Sequence, residues 1–471
     1  MVKILVINVS LRPNSPVKIF PVGLGYITTA MKNAGIDFDL LDIDAYRYTD
    51  AEVERLIRKK HYDVVCMGCI VTGYKIIKEL CEVIKDAHPD CTIIVGNSVA
   101  SSIVDVLLTG TRADIAVKGE GDETIVELLS TLSHSGNIDE VSGISFRRDE
   151  HVVHTSPRSP IKNISTLPFI DYSIFDVEIY IANAPMQVSD PLPLSLPRED
   201  VRMLPVNSAR GCIARCTFCY HVFNGMPYRF RSVESIIAEI SFLTDRYKLN
   251  YIMFSDELTF FSKKRALEFS EAILKSGLHF YWVINCRPDL FDRDEDIGII
   301  RKIKQAGCIS VGYSLESADP DILIAMNKKS TIEQFSRQTR LFHQAGMPIL
   351  TSLVFGFPQE TPETIRKTID CCIENRIYPS TGYLLPQPGS KMYDYALANG
   401  FITDEEQYLM SMGDRQDLIL NMTCMSDEEF EKCVWEGLKR CNKILKVGLD
   451  ETTLIKTQYY RANEKTMDAG E

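Results

Sequence analysis

The sequence predicts an α/β fold built from two consecutive segments of repeating strands and helices. Strand-like apolar runs alternate with amphipathic helical patterns, which is typical of parallel sheets covered by helices. The alternation occurs twice along 471 residues, a length that exceeds what a single compact core usually holds. A proline-rich stretch separates the two segments. We therefore expect two α/β domains joined by a linker.

The first segment, residues 1–140, predicts a Rossmann-like domain of the flavodoxin-like type. Strands are expected at residues 3–9, 37–43, 63–68, 91–96 and 114–118. Helices are expected at residues 22–34, 50–59, 73–88, 101–108 and 122–132. Ligands of such sheets bind outside the carboxyl ends of the strands. Small and turn-forming residues, which would let a large cofactor approach the backbone, follow the strands at residues 10–13, 21–26, 69–73, 96–98 and 119–122.

Residues 141–200 predict a β-hairpin followed by an extended linker. Two alternating runs, 141–148 and 151–155, flank the turn at Asp149 and Glu150. The segment 191–197 contains three prolines, which disfavour helical backbone in the residues before them. We therefore expect the chain to cross between the domains in an extended conformation.

The second segment, residues 201–400, predicts a partial (β/α)6 barrel. Strands are expected at residues 203–209, 251–255, 281–286, 310–315, 349–354 and 381–385. Helices are expected at residues 232–247, 262–276, 295–306, 331–345 and 361–374, with Ser232 and Ser262 as N-caps and Gly277, Gly307 and Gly346 as helix stops. Functional residues of barrels lie on the loops that follow the strands. Residues 401–471 predict a small helical region, whose clearest helix is 426–447.

Three cysteines give the most specific chemical signal. Cys212, Cys216 and Cys219 have C-x3-C-x2-C spacing and follow the first strand of the barrel. Thiolates suit iron, and a loop of this length can bring three of them to one cubane iron–sulfur cluster. The next cysteine is Cys286, so one iron would stay open for a substrate or cofactor. The alternatives are a zinc site with His221 as the fourth ligand, or a chance grouping.

Residues 207–219, including the aromatic Phe218 before the last cysteine, resemble the signature of radical S-adenosylmethionine (SAM) enzymes. Four upstream blocks, 21–26, 42–44, 95–97 and 118–121, resemble the P-x-G-L-G-Y, D-x-x, V-G-G and G-E-G-E blocks of a cobalamin-binding domain. Together they resemble the radical SAM enzymes with a cobalamin-binding domain, which include class B methyltransferases and anaerobic cyclases. In that family a [4Fe–4S] cluster cleaves SAM to a 5′-deoxyadenosyl radical.

The resemblance implies residues for each cofactor. The catalytic residues and cluster ligands would be Cys212, Cys216 and Cys219. The SAM-binding residues would be Phe218, Asp256, Glu257, Arg287, Glu316, Gly356 and Pro358. The cobalamin-binding residues would be Ser10, Gly23, Leu24, Gly25, Tyr26, Cys69, Val71, Thr72, Gly96, Asn97, Gly119 and Glu120. Within the SAM set, the resemblance gives Asp256 and Glu257 to the methionyl amino group, Arg287 to its carboxylate and Glu316 to the ribose.

The sequence lacks the motif from which a histidine usually binds the lower face of cobalt. Many cobalamin proteins hold cobalt through a D-x-H-x-x-G histidine, and the sequence has no such motif. The histidines of the first segment, His61, His88 and His134, fall at helix ends or in linkers. The lower face of a bound cobalamin is then expected to meet residues 69–72 or water. The alternative is a domain that keeps the fold and has lost the cofactor.

The sequence thus predicts a cobalamin-dependent radical SAM enzyme, most simply one that methylates an unactivated carbon of a small molecule. A deoxygenase, cyclase or mutase, with or without cobalamin, is the alternative enzyme, and a cobalamin or iron–sulfur sensor is the alternative of another class. The resemblance implies an electron donor such as flavodoxin or ferredoxin. Net charge of −12 and the lack of a long apolar run indicate a cytoplasmic protein without nucleic-acid binding or membrane insertion. Neither the substrate nor the oligomeric state can be read from the sequence.

Overall fold

Two parallel β-sheets organise the chain, one in each repeating segment. The computed structural model describes residues 2–188, 191–413 and 416–455. The α/β class and the two predicted runs of alternating strands and helices are confirmed. No helix in these ranges is long and apolar enough to cross a membrane.

The first sheet has five parallel strands and an antiparallel hairpin at one edge. In the described residues its strands are β1 Ile4–Asn8, β2 Asp39–Asp42, β3 Val64–Gly68, β4 Thr92–Gly96, β5 Ile115–Val117, β6 Ile144–Arg148 and β7 His151–His154. Their order is β2-β1-β3-β4-β5-β6-β7, in which the parallel part is flavodoxin-like and places its ligand-binding switch point between β1 and β3. The sequence predicts the hairpin β6–β7 but not the pairing of β6 with β5, which extends the sheet.

Helices cover both faces of this sheet. They are α1 Val22–Asn33, α2 Ile43–Tyr46, α3 Asp50–Arg58, α4 Tyr74–Ala87, α5 Asn97–Ser102, α6 Val104–Gly110 and α7 Asp122–Ser133. Where the sequence predicts one helix over 101–108, the structure has the two short helices α5 and α6. Ile103 separates them because its φ of −133° and ψ of 39° leave the helical region.

The linker also contains a helix, α8 Val177–Gln187, which the sequence analysis does not predict. Buried residues recur on one face of α8 at helical spacing, which gives the segment an apolar stripe to pack. The Tyr180 hydroxyl donates to Asp42 Oδ2 over 2.8 Å, and Asn8 Nδ2 donates to Asp42 Oδ1 over 2.7 Å. The helix is therefore fixed to the carboxyl ends of β1 and β2.

The second sheet follows the order expected of an open barrel. The strands of this segment are β8 Met203–Val206, β9 Ala209–Arg210, β10 Arg229–Phe230, β11 Tyr251–Phe254, β12 Tyr281–Asn285, β13 Cys308–Gly312, β14 Ile349–Leu350, β15 Ser352–Phe355 and β16 Ser380–Tyr383. Strands β8, β11, β12, β13 and β14 are parallel neighbours, and β15 pairs with β16. The predicted strand 349–354 is divided at Thr351, where pairing with β13 ends and pairing with β16 begins.

Six helices connect these strands in the described residues. They are α9 Val233–Tyr247, α10 Lys263–Ser276, α11 Ile297–Gln305, α12 Pro320–Ala325, α13 Ile332–Gln344 and α14 Pro362–Glu374. The side chains of Ser232 and Ser262 cap α9 and α10 as predicted, and Gly277 ends α10 in the left-handed conformation. The sequence does not predict the short helix α12, which Asp319 caps and Pro320 begins.

The C-terminal helices pack against both sheets' domains. They are α15 Lys391–Ala398, α16 Glu405–Ser411 and α17 Asp427–Leu445. Helix α17 begins after the N-cap Ser426 and is joined to α14 by an ion pair between Arg440 and Asp370. In α16, Glu406 accepts a hydrogen bond from the Tyr74 hydroxyl of the first domain over 2.8 Å. Residues 456–471 of the predicted helical region lie outside the described residues.

Candidate active site

The three cysteines lie on one loop, residues 211–228, which we call the cysteine loop. Strands β9 and β10 flank it and pair antiparallel, with Arg210 opposite Arg229. We call this pair the neck of the cysteine loop. Because β8 ends at Val206, the loop leaves the carboxyl end of the first barrel strand, where barrels place functional residues.

Asp256, at the end of β11, fixes the turn that leads into the neck. Its Oδ1 accepts hydrogen bonds from Asn207 Nδ2 (2.9 Å), Ser208 N (2.7 Å) and Ala209 N (3.0 Å), and its Oδ2 accepts from the Ser208 hydroxyl. Burial nevertheless raises the pKa of Asp256 to about 7. The sequence assigns this residue to SAM, but its carboxylate oxygens already hold the protein's own backbone.

The three thiols influence one another within the cysteine loop. Cys219 reaches the surface, but the protein atoms packed around its thiol, and then the neighbouring thiols of Cys216 and Cys212, raise its pKa to about 12. Burial also raises the pKa of Cys216, and the nearby Lys328 ammonium opposes that shift. These thiols are costly to ionise on their own. Cationic iron stabilises the thiolate form, so the thiols would lose their protons when they bind it. The loop therefore fits an iron–sulfur cluster by its donor set.

No three histidine, cysteine, aspartate or glutamate side chains among the described residues converge closely enough to hold one metal ion. A zinc site needs its ligands around a single ion. In a cubane cluster, in contrast, each thiolate binds a different iron, so the sulfurs stand further apart.

Glu316 presents a buried carboxylate oxygen with no partner among the described residues. It follows β13 and has a φ of 65°, so the backbone adopts the left-handed conformation to place it. Its Oε1 accepts from Lys328 Nζ over 3.0 Å, whereas no described group donates to its Oε2. A buried unpaired carboxylate oxygen is costly unless a ligand supplies the donor. This is the strongest structural sign of a missing polar ligand at the site.

Lys328 is a residue of the site that the sequence analysis does not identify. The side chains of Lys328 and Glu316 are only 9% and 7% exposed, and both affect the pKa of Cys216. The segment 326–330 resembles the family's M-x-K-x-(S/T) block, and this resemblance was the available signal. Its lysine could equally be solvated on sequence grounds, and only the tertiary pairing with Glu316 distinguishes the two.

Arg287 and Glu257 lie at the edge of the site and form hydrogen bonds with other groups of the protein. The Arg287 guanidinium donates to Asp289 Oδ1 over 2.9 Å and to the backbone oxygen of Lys328 over 2.8 Å. Glu257 is exposed, and its Oε2 accepts from Gly211 N, the first residue of the cysteine loop, over 3.1 Å. Both residues therefore lie where the sequence predicts SAM contacts, and both also hold loop backbone in place.

Phe218 joins the cysteine loop to the turn after β15. Its ring packs edge-on against Phe357, with centroids 6.1 Å apart. Phe357 lies between the predicted adenine-contacting residues Gly356 and Pro358. Gly356 has a φ of 116°, which only glycine adopts readily. The structure thus brings these three predicted residues into one contact region.

A cavity of about 240 Å³ opens beside the cysteines. It is lined by residues of the cysteine loop, among them Cys212, His221, Phe223 and Tyr228. His221 Nδ1 is buried and has no partner among the described residues. Burial lowers the pKa of His221, which keeps the imidazole neutral. The cavity is large enough for a small polar group next to the cluster position.

The carboxyl edge of the first sheet offers open backbone at the switch point. A Cβ added to Gly23 or Gly96 would meet no other atom within 4 Å. Asn97 beside it is exposed with a φ of 69°, and Ile70, after β3, is an exposed apolar residue. An apolar side chain and bare backbone at such an edge suit a broad, partly apolar ring system. These residues fit cobalamin.

Other predicted cobalamin residues are committed to internal packing. A Cβ on Gly25 would lie 3.0 Å from both Ile170 and Phe20, so this glycine serves helix packing. Cys69 is buried against Gly73, where an added Cβ would overlap its sulfur. Five further predicted cobalamin residues also form internal hydrogen bonds or pack against the core. They are Ser10, Leu24, Tyr26, Val71 and Glu120. Thr72 and Gly119 are half-buried at the same edge.

The histidines of the first domain lie at the opposite end of its strands. His88 caps the end of α4 and contacts the Ile57 carbonyl oxygen over 2.9 Å. His61 is exposed beside Asp63, and His134 ends α7. All three precede strands or follow helices, so none of them reaches the carboxyl edge.

This combination of features defines a class of protein: a flavodoxin-like ligand-binding domain followed by an open barrel with a three-cysteine loop. The family model described as radical SAM superfamily matches residues 206–372. The model described as B12 binding domain matches residues 11–129. The chain belongs to the radical SAM enzymes that carry a cobalamin-binding domain.

Relatives and solved structures agree with this assignment. An uncharacterized methyltransferase of Pyrococcus horikoshii is 26% identical over 385 residues, covering 81% of this chain and 79% of its own. An anaerobic magnesium-protoporphyrin IX monomethyl ester cyclase of Rubrivivax gelatinosus is 27% identical over 356 residues, covering 74% of this chain and 61% of its own. The radical SAM methyltransferase TsrM of Kitasatospora setae, solved with cobalamin and a [4Fe–4S] cluster, has the same fold with a TM-score of 0.66 at 19% identity, covering 85% of this chain and 75% of its own.

Proposed function

We propose that the chain is a cobalamin-dependent radical SAM methyltransferase that acts on an unactivated carbon of a small molecule. One observation carries the proposal: the cysteine loop lies against the carboxyl edge of the first sheet. A Cβ added to Gly119, after β5, would be 3.2 Å from the Met226 methyl group of that loop. The edge that fits cobalamin and the loop that fits the cluster are thus neighbours, as a transfer between two cofactors requires.

The chain's own residues provide separate places for each group. Cys212, Cys216 and Cys219 would bind three irons of a [4Fe–4S] cluster and leave the fourth iron for SAM. Glu316, with Lys328 beside it, would accept hydrogen bonds from the SAM ribose at its unpaired Oε2. Gly23 and Gly96 would let the cobalamin ring approach the backbone at the switch point.

The bound groups would supply a deoxyadenosyl radical and a transferable methyl group, and the protein would bind, orient and exclude water. Phe218 and Phe357 pack against each other and would form an apolar wall beside SAM that excludes bulk water. Asp256 holds the turn at the base of the cysteine loop, so the thiols keep their positions without a core around them.

The proposed division of the chain follows these roles. Residues 1–140 would bind cobalamin, 141–200 would link, 201–400 would hold the cluster and SAM, and 401–471 would complete the substrate side. The small-molecule substrate would enter the cavity beside Cys212 and His221. The exposed residues Ile213, Arg215 and Cys219 lie on the outer part of the cysteine loop, where an electron donor such as flavodoxin or ferredoxin would approach.

Removing a cluster thiol tests the cysteine assignment. Cys212→Ala, Cys216→Ala and Cys219→Ala should each lose most of the iron and all SAM cleavage, because a three-cysteine site has no spare ligand. Iron and sulfide content after anaerobic reconstitution, and 5′-deoxyadenosine formation by chromatography, are the measurements. Cys286→Ala, a buried cysteine outside the loop, is the control and should keep both. Full iron content in any of the three loop variants would contradict the assignment.

Glu316→Gln tests the ribose contact. Loss of a charge-assisted hydrogen bond should weaken SAM binding by roughly tenfold to a hundredfold while iron content stays unchanged. Equilibrium binding of SAM to the reconstituted protein measures it. Glu363→Gln is the control, because Glu363 is an exposed carboxylate in the first turn of α14 that pairs with Lys367 and touches none of the predicted SAM residues. Equal SAM affinity in Glu316→Gln and wild type would show that Lys328 is its sole partner.

Gly23→Leu tests the cobalamin edge. A leucine side chain at this open position should block the ring and abolish binding of hydroxocobalamin, measured by absorbance after gel filtration. Gly298→Leu is the control, since Gly298 is likewise the second residue of a helix and faces open space. In wild type, the paramagnetic resonance spectrum of bound cob(II)alamin should lack nitrogen splitting from a histidine. Nitrogen splitting, or undiminished binding in Gly23→Leu, would contradict this site.

A further inference from the structure

We propose that Glu120 and Asp122 of the first domain hold the neck of the cysteine loop, and that the ordered conformation of this loop depends on them. The sequence assigns Glu120 to cobalamin. The structure instead places its carboxylate between the two domains. We infer a positioning role that acts whether or not cobalamin is bound.

Two buried positive charges face each other in the neck, and the second domain does not neutralise them by itself. Arg210 and Arg229 lie directly opposite each other in the β9–β10 pair. Their side chains are only 6% and 8% exposed, so water screens neither charge. Like charges at opposite positions of an antiparallel pair destabilise it, and burial without a partner adds to the cost. Two anions are needed at this place.

Glu120, in the turn after β5, and Asp122, the first residue of α7, supply these anions. Glu120 Oε1 accepts from Arg210 Nη1 over 2.6 Å, and Glu120 Oε2 accepts from Arg229 Nη1 over 2.6 Å. Asp122 Oδ1 accepts from Arg210 Nη2 over 2.9 Å. The Glu120 carboxylate thus pairs with one arginine on each strand of the neck. Glu120 Oε2 also accepts from Ile161 N of the linker over 2.8 Å.

Neighbouring contacts carry this arrangement into the cysteine loop. The Arg210 guanidinium lies over the ring of Tyr26 in α1, 5.1 Å from its centroid. The Phe223 ring of the cysteine loop is 5.7 Å from the guanidinium carbons of both Arg210 and Arg229. Phe223 also lines the cavity that contains Cys212. A change at Glu120 would therefore reach the cavity wall through the two arginines.

Away from the neck the loop is tied to the barrel at Thr217, whose N donates to the Met326 carbonyl oxygen over 3.0 Å, so a change in the neck should loosen the loop mainly between its base and that residue. Its exposed stretch includes Ile213, Arg215 and Cys219. A loop that is closed at its base loses less entropy when it binds a ligand than one that must first be ordered. The consequence for cluster binding rests on the proposed function. The dependence of the loop on Glu120 does not.

Hydrogen exchange of the full-length chain without cofactors tests the proposal. In Glu120→Gln, one acidic group faces two buried arginines, so amides of residues 211–228 should exchange about tenfold faster or more than in wild type. Glu123→Gln is the matched control, because Glu123 is an acidic residue only three positions further along the chain, is exposed, and forms an ion pair with Arg158 instead. Its exchange should equal wild type. Amides of β4 and β12 should not change in either variant.

A double variant distinguishes a positioning role of Glu120 from a general effect on stability. It also keeps the proposal testable if Glu120→Gln alone does not fold. Glu120→Gln combined with Arg229→Gln leaves Arg210 paired with Asp122 and restores the charge balance, so protection of residues 211–228 should recover. If Glu120→Gln alone does not fold, recovery of a folded and protected double variant supports the proposal. Unchanged exchange of the loop in Glu120→Gln would overturn it, as would equal loss of protection along the whole chain or no recovery in the double variant.

A chelator challenge of the reconstituted protein extends the test to the cluster. Iron should leave Glu120→Gln several-fold faster than Glu123→Gln. If wild type binds no cluster, the proposed function fails while the exchange result still decides the role of Glu120. If the cluster binds and is equally retained in both variants, the link from neck to cluster is wrong.

Discussion

Fixation of the base of the cysteine loop is the constraint on which the rest of the site depends. Three thiols that must face a cluster cannot be buried in a core of their own, so their positions are set by the backbone that leads to them. Asp256 holds that backbone from within the barrel through four hydrogen bonds. Glu120 holds it from the other domain through Arg210 and Arg229. Buried carboxylates with complete sets of donors are well suited to this task because the alternative, an unpaired buried charge, is expensive.

The same constraint explains why the two domains face each other. The carboxyl edge of a flavodoxin-like sheet and the carboxyl ends of barrel strands are both natural ligand-binding places. Here the cysteine loop spans the distance between them, since Met226 lies against Gly119 while Phe218 packs against Phe357. Helix α8 closes the first sheet at β1 and β2 through Tyr180 and leaves the switch point open. The geometry leaves one region where two cofactors and a substrate could meet.

Local patterns could be predicted from the sequence, and tertiary pairing could not. The strands, most helices, the N-caps Ser232 and Ser262 and the cysteine spacing are local features, and the structure agrees with the first three. Gly23 and Gly25 share one motif, yet one faces open space and the other packs against Ile170. Nothing in the neighbouring residues distinguishes them.

The carboxylates show the same limit. Asp256, Glu120 and Glu316 all follow strands, which predicts a ligand for each. The first two are saturated by donors distant in sequence, and the third keeps a free oxygen, so only the fold separates positioning from binding. The sequence does not predict helix α8 for a related reason: Pro185 lies inside it and further prolines follow it, and these residues locally favour extended backbone.

The central claim is that cobalamin and a [4Fe–4S] cluster occupy adjacent edges of one chain. Paramagnetic resonance of the protein loaded with both, with cobalt as cob(II)alamin and the cluster reduced, tests it most directly. Two unpaired spins in neighbouring sites should broaden each other's signals, and addition of SAM should shift the cluster signal further. A spectrum that is the simple sum of the separately loaded forms would contradict the account.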